Sequence, residues 1–156
     1  MKPTNNPKPT ISLRERALGY LTRREYSCKE LEQKLRGYVE EHDDLPALLE
    51  DFKKRGWLSE ERYTEQIVHA RKGKFGSARV AHELREHGVA EELIDKAVAE
   101  VKTDELANAR AIHHKKYKAP PATREEWAKQ ARFLQSRGFG FDVIKQVLRG
   151  DPEEDF

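Results

Sequence analysis

The sequence predicts an all-α chain arranged as three tandem three-helix repeats, on two recurrences and one absence. Ser12, Ser59 and Thr103 are each followed nine residues on by an apolar residue (Leu21, Val68, Ile112) and twelve residues on by a basic one (Arg24, Arg71, Lys115). Ala81, Leu84, Gly88 and Ile94 return fifty residues later as Ala131, Leu134, Gly138 and Ile144. No run of alternating polarity is long enough to claim a strand. Recurrence at such periods marks stacked supersecondary units rather than one undivided core.

The elements follow in order. Residues 1–10, with three prolines and no core former, read as a flexible arm. Ser12 and Glu15 form a capping box for a first helix lined by Leu13, Ala17 and Leu21. Ser27 and Glu30 make a second box, with Tyr26 stapled against Leu31 and Leu35 continuing the row. Leu45 to Lys54 carries Leu48, Leu49 and Phe52, and Gly56 supplies a left-handed stop. Ser59 then caps a helix whose first turn holds Glu60 and Glu61, where the helix dipole favours anions, with Leu58 and Tyr63 at the staple positions. After Gly73 and Gly76 break the chain, Ser77 to His87 bury Val80, Ala81 and Leu84 up to Gly88. Val89 and Ile94 bracket the next helix, with Leu93, Ala97, Val98 and Val101 as its stripe.

In the third repeat Thr103 is expected to cap the first helix, with Asp104 and Glu105 in its first turn. The loop Ala119-Pro120-Pro121 adds length, and the repeat offset grows from 44 to 50 residues. Thr123 and Glu126 cap a helix with Trp127, Ala131 and Leu134, stopped by Gly138. Phe139 and Ile144 take the staple positions, Val143, Val147 and Leu148 complete the packing face, and Gly150-Asp151-Pro152 ends the ordered chain. The divisions are an arm at 1–10, repeats at 11–56, 57–102 and 103–150, and an acidic tail at 151–156.

Composition narrows the function classes. Charged and hydrophobic residues each make up 37% of 156 residues, which suits thin solvated layers better than a thick globule. The formal net charge is +2, but Asp151, Glu153, Glu154 and Asp155 crowd the tail, leaving +6 on the rest of the chain. A moderately basic body suits an anionic polymer or a mixed protein surface. Cys28 is the one cysteine, which rules out an intrachain disulfide and a cysteine-rich zinc site. Neither a signal-peptide core nor a membrane-length apolar run is present, so a cytoplasmic protein is expected.

Motifs of familiar enzymes fail on spacing. His82 and His87 are five residues apart, about 140° around a helix, whereas a zincin needs two ligands at i and i+4. His113 and His114 diverge by about 100°. Gly138-Phe139-Gly140 lacks the third glycine and the strand of a dinucleotide site, and Gly73 to Ser77 lacks the order of a phosphate loop. No nucleophile or acid–base pair stands out, so neither catalysis nor a cofactor or metal is expected.

The basic residues are the stronger signal. Arg23 and Arg24, Arg71 and Lys72, and Lys115 and Lys116 fall at equivalent ends of the first helix of each repeat, where compensation of the helix dipole is worth about 0.3–1 kcal/mol. That reason does not explain why Lys74, Arg79 and Arg85 follow in the middle repeat or why Lys118 extends the third cluster. Stacked in register, they would form a discontinuous ridge for phosphates or acidic side chains.

Gly56-Trp57-Leu58-Ser59 with Tyr63 and Arg71, then Phe75-Gly76, Arg79-Val80, Glu83-Leu84 and Gly88, and finally Phe133-Leu134 and Arg137-Gly138-Phe139 resemble the signature of the RecX family, bacterial regulators of the RecA recombinase. The likeness runs from Ile11 to Gly150 and is most specific between Gly56 and Gly88. Val80 stands where isoleucine is usual, and the first repeat keeps a loose form of the pattern. The resemblance implies a curved, elongated, solenoid-like body, working as a monomer, that lies in the groove of the RecA–DNA filament. It implies a non-enzymatic modulator, mostly an inhibitor, of recombinase, ATPase and co-protease activity, in homologous recombination, DNA repair and the SOS response. On that basis Arg71, Lys72, Lys74, Arg79 and Arg85 are expected to touch acidic protein surface or DNA phosphate. A general single- or double-stranded DNA binder acting without a recombinase, and a scaffold for another protein, are the alternatives.

Overall fold

The computed structural model describes residues 11–149; the proposed arm and the acidic tail lie outside them. Nine α-helices and one short 3₁₀ turn (Arg36–Tyr38) make up the regular structure of those residues. They are α1 (Leu13–Leu21), α2 (Cys28–Leu35), α3 (Leu45–Lys54), α4 (Glu60–Arg71), α5 (Ser77–Glu86), α6 (Glu91–Lys102), α7 (Glu105–Lys116), α8 (Arg124–Ser136) and α9 (Phe141–Leu148). The chain divides into two compact units, Met1–Tyr63 and Thr64–Phe156, with the division inside α4.

Local chemistry sets most helix boundaries. Ser12 Oγ accepts from the Glu15 N–H at 3.1 Å, and Ser27 and Glu30 complete the reciprocal box at 3.0 and 3.2 Å. Ser59 Oγ accepts from Arg62 N, and Asp44, with Pro46 behind it, caps α3 through Ala47 N. Gly56, Gly88 and Gly138 have φ of +74°, +73° and +90°. After each, the chain folds back: Trp57 N reaches Phe52 O, Val89 N reaches Leu84 O and Phe139 N reaches Leu134 O, at 2.9–3.2 Å. These are Schellman closures, and they satisfy carbonyls the helices leave open.

Four boundaries differ in part or whole from expectation. At α1 the Ser12 side chain accepts from Glu15 N, but no return bond from the Glu15 carboxylate completes the expected box. Thr103 does not cap α7; its hydroxyl donates to Glu100 O at 2.6 Å and finishes α6, while Asp104 holds the N-cap position without a side-chain bond. Thr123 Oγ1 caps α8 as expected, accepting from Glu126 N at 3.1 Å, but the Glu126 carboxylate takes Ala122 N, at 2.7 Å, rather than Thr123 N. The left-handed residue after α9 is Arg149 (φ 54°), one place before the expected glycine.

In the first unit, Leu13, Ala17, Tyr26, Leu31, Leu35, Leu49, Phe52 and Leu58 form the core. In the second, α5 and α6 bury Val80, Leu84, Val89, Ile94, Ala97 and Val101, and α7, α8 and α9 bury Ala109, Trp127, Leu134, Phe139, Ile144 and Leu148. Fully burying each large aliphatic side chain is worth roughly 1.5–3 kcal/mol.

Two long-range devices join the helices. Glu60, first residue of α4, accepts from Cys28 N at the start of α2 (2.6 Å). Glu105, first residue of α7, accepts from Ser77 N and Ser77 Oγ at the start of α5 (2.9 and 3.0 Å). In both cases the first helix of one three-helix group caps the second helix of the group before it. The other device lies within the second unit, where the start of α5 meets the end of α8. Gly76 N donates to Arg137 O at 2.7 Å, Ala78 N to Gly138 O at 3.2 Å, and Arg79 Nη1 to Ser136 O at 3.1 Å. Orphan amides at a positive helix end thereby meet orphan carbonyls at a negative one.

That contact requires two residues without side chains. A Cβ on Gly76 would collide with the Gly138 carbonyl, and one on Gly138 would collide with Arg79. Gly76→Ala is expected to lower stability by about 2 kcal/mol. Gly19→Ala, in the exposed interior of α1 with nothing near the new Cβ, should raise it by about 0.5–1 kcal/mol. Chemical denaturation of the two variants checks the contrast, and equal effects would contradict the close approach.

Candidate functional site

The structure sorts the ten basic candidates by what neutralises them. Arg71 grips Glu83 through two bonds of 2.9 and 2.8 Å. Lys72 lies 3.5 Å from Asp104, Arg85 is 2.6 Å from Glu91, and Arg24 is 3.1 Å from Glu30 while stacked on Tyr26. The charges of these four are answered within the chain. Lys74, Arg79, Lys115, Lys116 and Lys118 take part in none of the ion pairs among the described residues, nor does Arg23 at the exposed end of α1. The ridge read from sequence is therefore not a uniform row of available cations, because acidic residues that are distant in sequence reach into it.

Three of the unanswered cations converge in the second unit. An open trough of about 510 Å³ is lined by Gly73 and Lys74 after α4, by Ala111, Ile112, Lys115 and Lys116 on α7, and by Phe133 and Arg137 at the end of α8. Neither Arg79, five residues after Lys74, nor Lys118, exposed beyond α7, lines the trough. Arg137 was missed as a charge. It and the rings of Phe75 and Phe133 entered the sequence reading only through the family resemblance.

Aromatic rings meet two of the trough cations, Lys116 and Arg137, and also Arg79, which shares Phe75 with Arg137. The Arg79 guanidinium lies 4.0 Å over the Phe75 ring, and Arg137 is 5.8 Å from Phe75 and 5.4 Å from Phe133. Lys116 Nζ sits 4.1 Å over Phe133, which Tyr117 meets edge-on at 5.7 Å. Below, His113 stacks near Tyr117 and its Nε2 lies 2.6 Å from Gln130 Oε1 in the interior. A cation on a ring gains about 0.5–1 kcal/mol and keeps its positive charge, whereas one on a carboxylate loses its field at a distance. Arg137 and Lys116 on Phe133 thus present positive charge with no ion-pair partner among the described residues, while Arg79 on Phe75 also feels the Glu83 carboxylate.

The first unit supplies the contrast. Arg14 stacks on Phe52 and Trp57 at 5.2 and 5.5 Å, and Arg55 on Trp57 at 5.2 Å, but both also bind Asp51 at 2.9 and 3.0 Å. The hydrogen bond from Arg14 holds the Asp51 carboxyl below its usual range. Rings and cations meet here too, with one carboxylate offsetting one of the two positive charges.

Among the described residues no group of three or more His, Cys, Asp or Glu could hold a metal ion, and His82 pairs with Glu86 at 2.9 Å. Burial pushes the Cys28 thiol up, away from the reactive thiolate. Burial also raises Glu60, and hydrogen bonds from Arg71 lower Glu83. No described helix is long and apolar enough to cross a membrane.

The Arg71–Glu83 pair ties α4 to α5 beside the trough. Because folding lowers the Glu83 value, its stabilisation is complete above the ordinary value near 4.5 and is lost as pH falls through the lowered one. Glu83→Gln should cost at most about 1 kcal/mol at pH 7 for this partly exposed pair and should flatten the fall in stability below about pH 4.5. Thermal midpoints measured from pH 7 to 3 check this; an unchanged acid limb would contradict it.

Comparison with known proteins gives a consistent match. The first, second and third three-helix domains of RecX match residues 14–42, 59–98 and 103–148. The protein named regulatory protein RecX in Leptothrix cholodnii is 42% identical over 149 residues, covering 95% of each chain. That of Herbaspirillum seropedicae is 42% identical over 143 residues, 92% of this chain and 93% of the relative. The crystal structure of RecX from Lactobacillus salivarius superposes with a TM-score of 0.75 at 19% identity, over 88% of this chain and 92% of that one, and so shows the shared fold.

Proposed function

The chain belongs to the RecX family, and from that premise we propose that it is a regulator of the RecA recombinase. It binds the RecA–DNA filament, in the filament groove, and restrains recombinase, ATPase and co-protease activity, acting as a cytoplasmic monomer in recombination, DNA repair and the SOS response. Its relatives are named regulatory proteins rather than enzymes. The observation that carries the reading is the trough, where Lys74, Lys115, Lys116 and Arg137 converge without a described carboxylate partner. A surface kept charged at the cost of self-repulsion suits an anionic partner outside the chain.

The mechanism is steric and electrostatic. A body that contacts adjacent recombinase subunits couples their positions, and subunit motions needed for hydrolysis or strand entry then require breaking that contact. The trough cations meet acidic protein surface or DNA phosphate. Arg71, Lys72 and Arg85 shape the surface through their internal ion pairs and contribute less directly.

A second reading has its own support. Rings alternating with cations, as at Phe75, Arg137, Phe133 and Lys116, also suit single-stranded nucleic acid, where bases stack and phosphates bind lysine and arginine. A DNA binder acting without recombinase would lose affinity steeply with salt in a purified two-component mixture.

The triple variant Lys74→Glu, Lys115→Glu and Lys116→Glu should raise the concentration for half-inhibition of RecA ATPase on single-stranded DNA by about tenfold, with helix content unchanged. Arg85→Gln, which removes an internally paired charge, should shift it by less than about threefold. Full inhibition by the folded triple variant would remove the trough from the mechanism, and no inhibition by the native chain would remove the recombinase.

A further inference from the structure

The same trough has a candidate occupant within the chain. Residues 150–156, Gly-Asp-Pro-Glu-Glu-Asp-Phe, lie outside the described residues and carry four carboxylates with no basic residue. The described chain ends at Arg149, directly after α9. Leu148, in the last turn of α9, belongs to the apolar cluster against which Val147 and, from the trough, Ile112 and Phe133 pack. We propose that the acidic tail folds back over α7 and occupies the trough, placing its carboxylates against Lys74, Lys115, Lys116 and Arg137.

Reach and charge both allow this. Seven extended residues span up to about 23 Å, against about 10 Å between the axes of packed helices, so the tail can cross one helix. Four negative charges face four positive ones that have no described carboxylate partner. The tail is then a tethered mimic of the anionic partner. A short tether gives a local concentration in the millimolar range, enough to hold a weak contact closed until a longer anion displaces it.

The effect on the recombinase rests on the function proposed above, but the docking can be tested without it. Amide chemical shifts of the full chain are compared at about 50 mM salt with those of a chain ending at Arg149 and of the variant Asp151→Asn, Glu153→Gln, Glu154→Gln, Asp155→Asn. Both changes should move the amides of residues 73–74, 112–116 and 133–137, and about 0.5 M salt should move them the same way in the full chain. Shifts confined to the last turn of α9 would overturn the proposal. So would trough shifts that depend on protein concentration, which would assign the tail to a second copy.

A second measurement separates this inference from the functional reading. Removing the tail should lower the concentration for half-inhibition of RecA ATPase by about threefold to tenfold, the range expected for loss of a weak tethered competitor. Trough shifts without inhibition by any form of the chain would uphold the docking and refute the recombinase reading. Normal inhibition without trough shifts would do the reverse.

Discussion

The contact between Gly76 at the start of α5 and the Gly138 turn at the end of α8 is the constraint on which the second unit depends. Helix ends carry unpaired amides or carbonyls that must find partners when covered. Here each end supplies what the other lacks, through bonds from Gly76 N, Ala78 N and Arg79 Nη1 to three successive carbonyls. The approach is close enough to exclude a side chain at either glycine. It also brings Lys74, Phe75 and Arg79 on one side next to Arg137 and Phe133 on the other. The trough is thus a consequence of backbone chemistry, with cations gathered from segments about sixty residues apart.

Within that frame the aromatic rings decide how the charges behave. Both units place arginines over aromatic rings, but Asp51 pairs with both arginines of the cluster around Trp57, while no described carboxylate makes an ion pair with the cations around Phe75 and Phe133. A ring restricts a long side chain without neutralising it, so the groups are positioned before a partner arrives and less conformational entropy is lost on binding.

Much of the fold was legible because helix boundaries are written locally. Ser12, Ser27, Ser59 and Thr123 sit within three residues of the amides they cap, and Gly56, Gly88 and Gly138 stop helices through their own backbone freedom. Thr103 was misread because a hydroxyl between two helices can bond backward to Glu100 as well as forward. The site was less legible. Lys74, Arg79, Lys115 and Lys116 could be singled out by clustering, but Arg71 and Lys72 looked the same in sequence, and only folding shows that Glu83 and Asp104 answer them. Arg137 stands alone among polar neighbours and becomes part of a site only through a contact sixty-one residues away, from Gly76.

The carboxylates of Glu60 and Glu105 give the chain a direction. Each caps a helix that precedes it, Cys28 by thirty-two residues and Ser77 by twenty-eight. During synthesis the start of α2 therefore lacks this partner until the first turn of α4 has left the ribosome, and α5 waits in the same way for α7. Each of these two triplets is thus completed only when the first turn of the next has arrived.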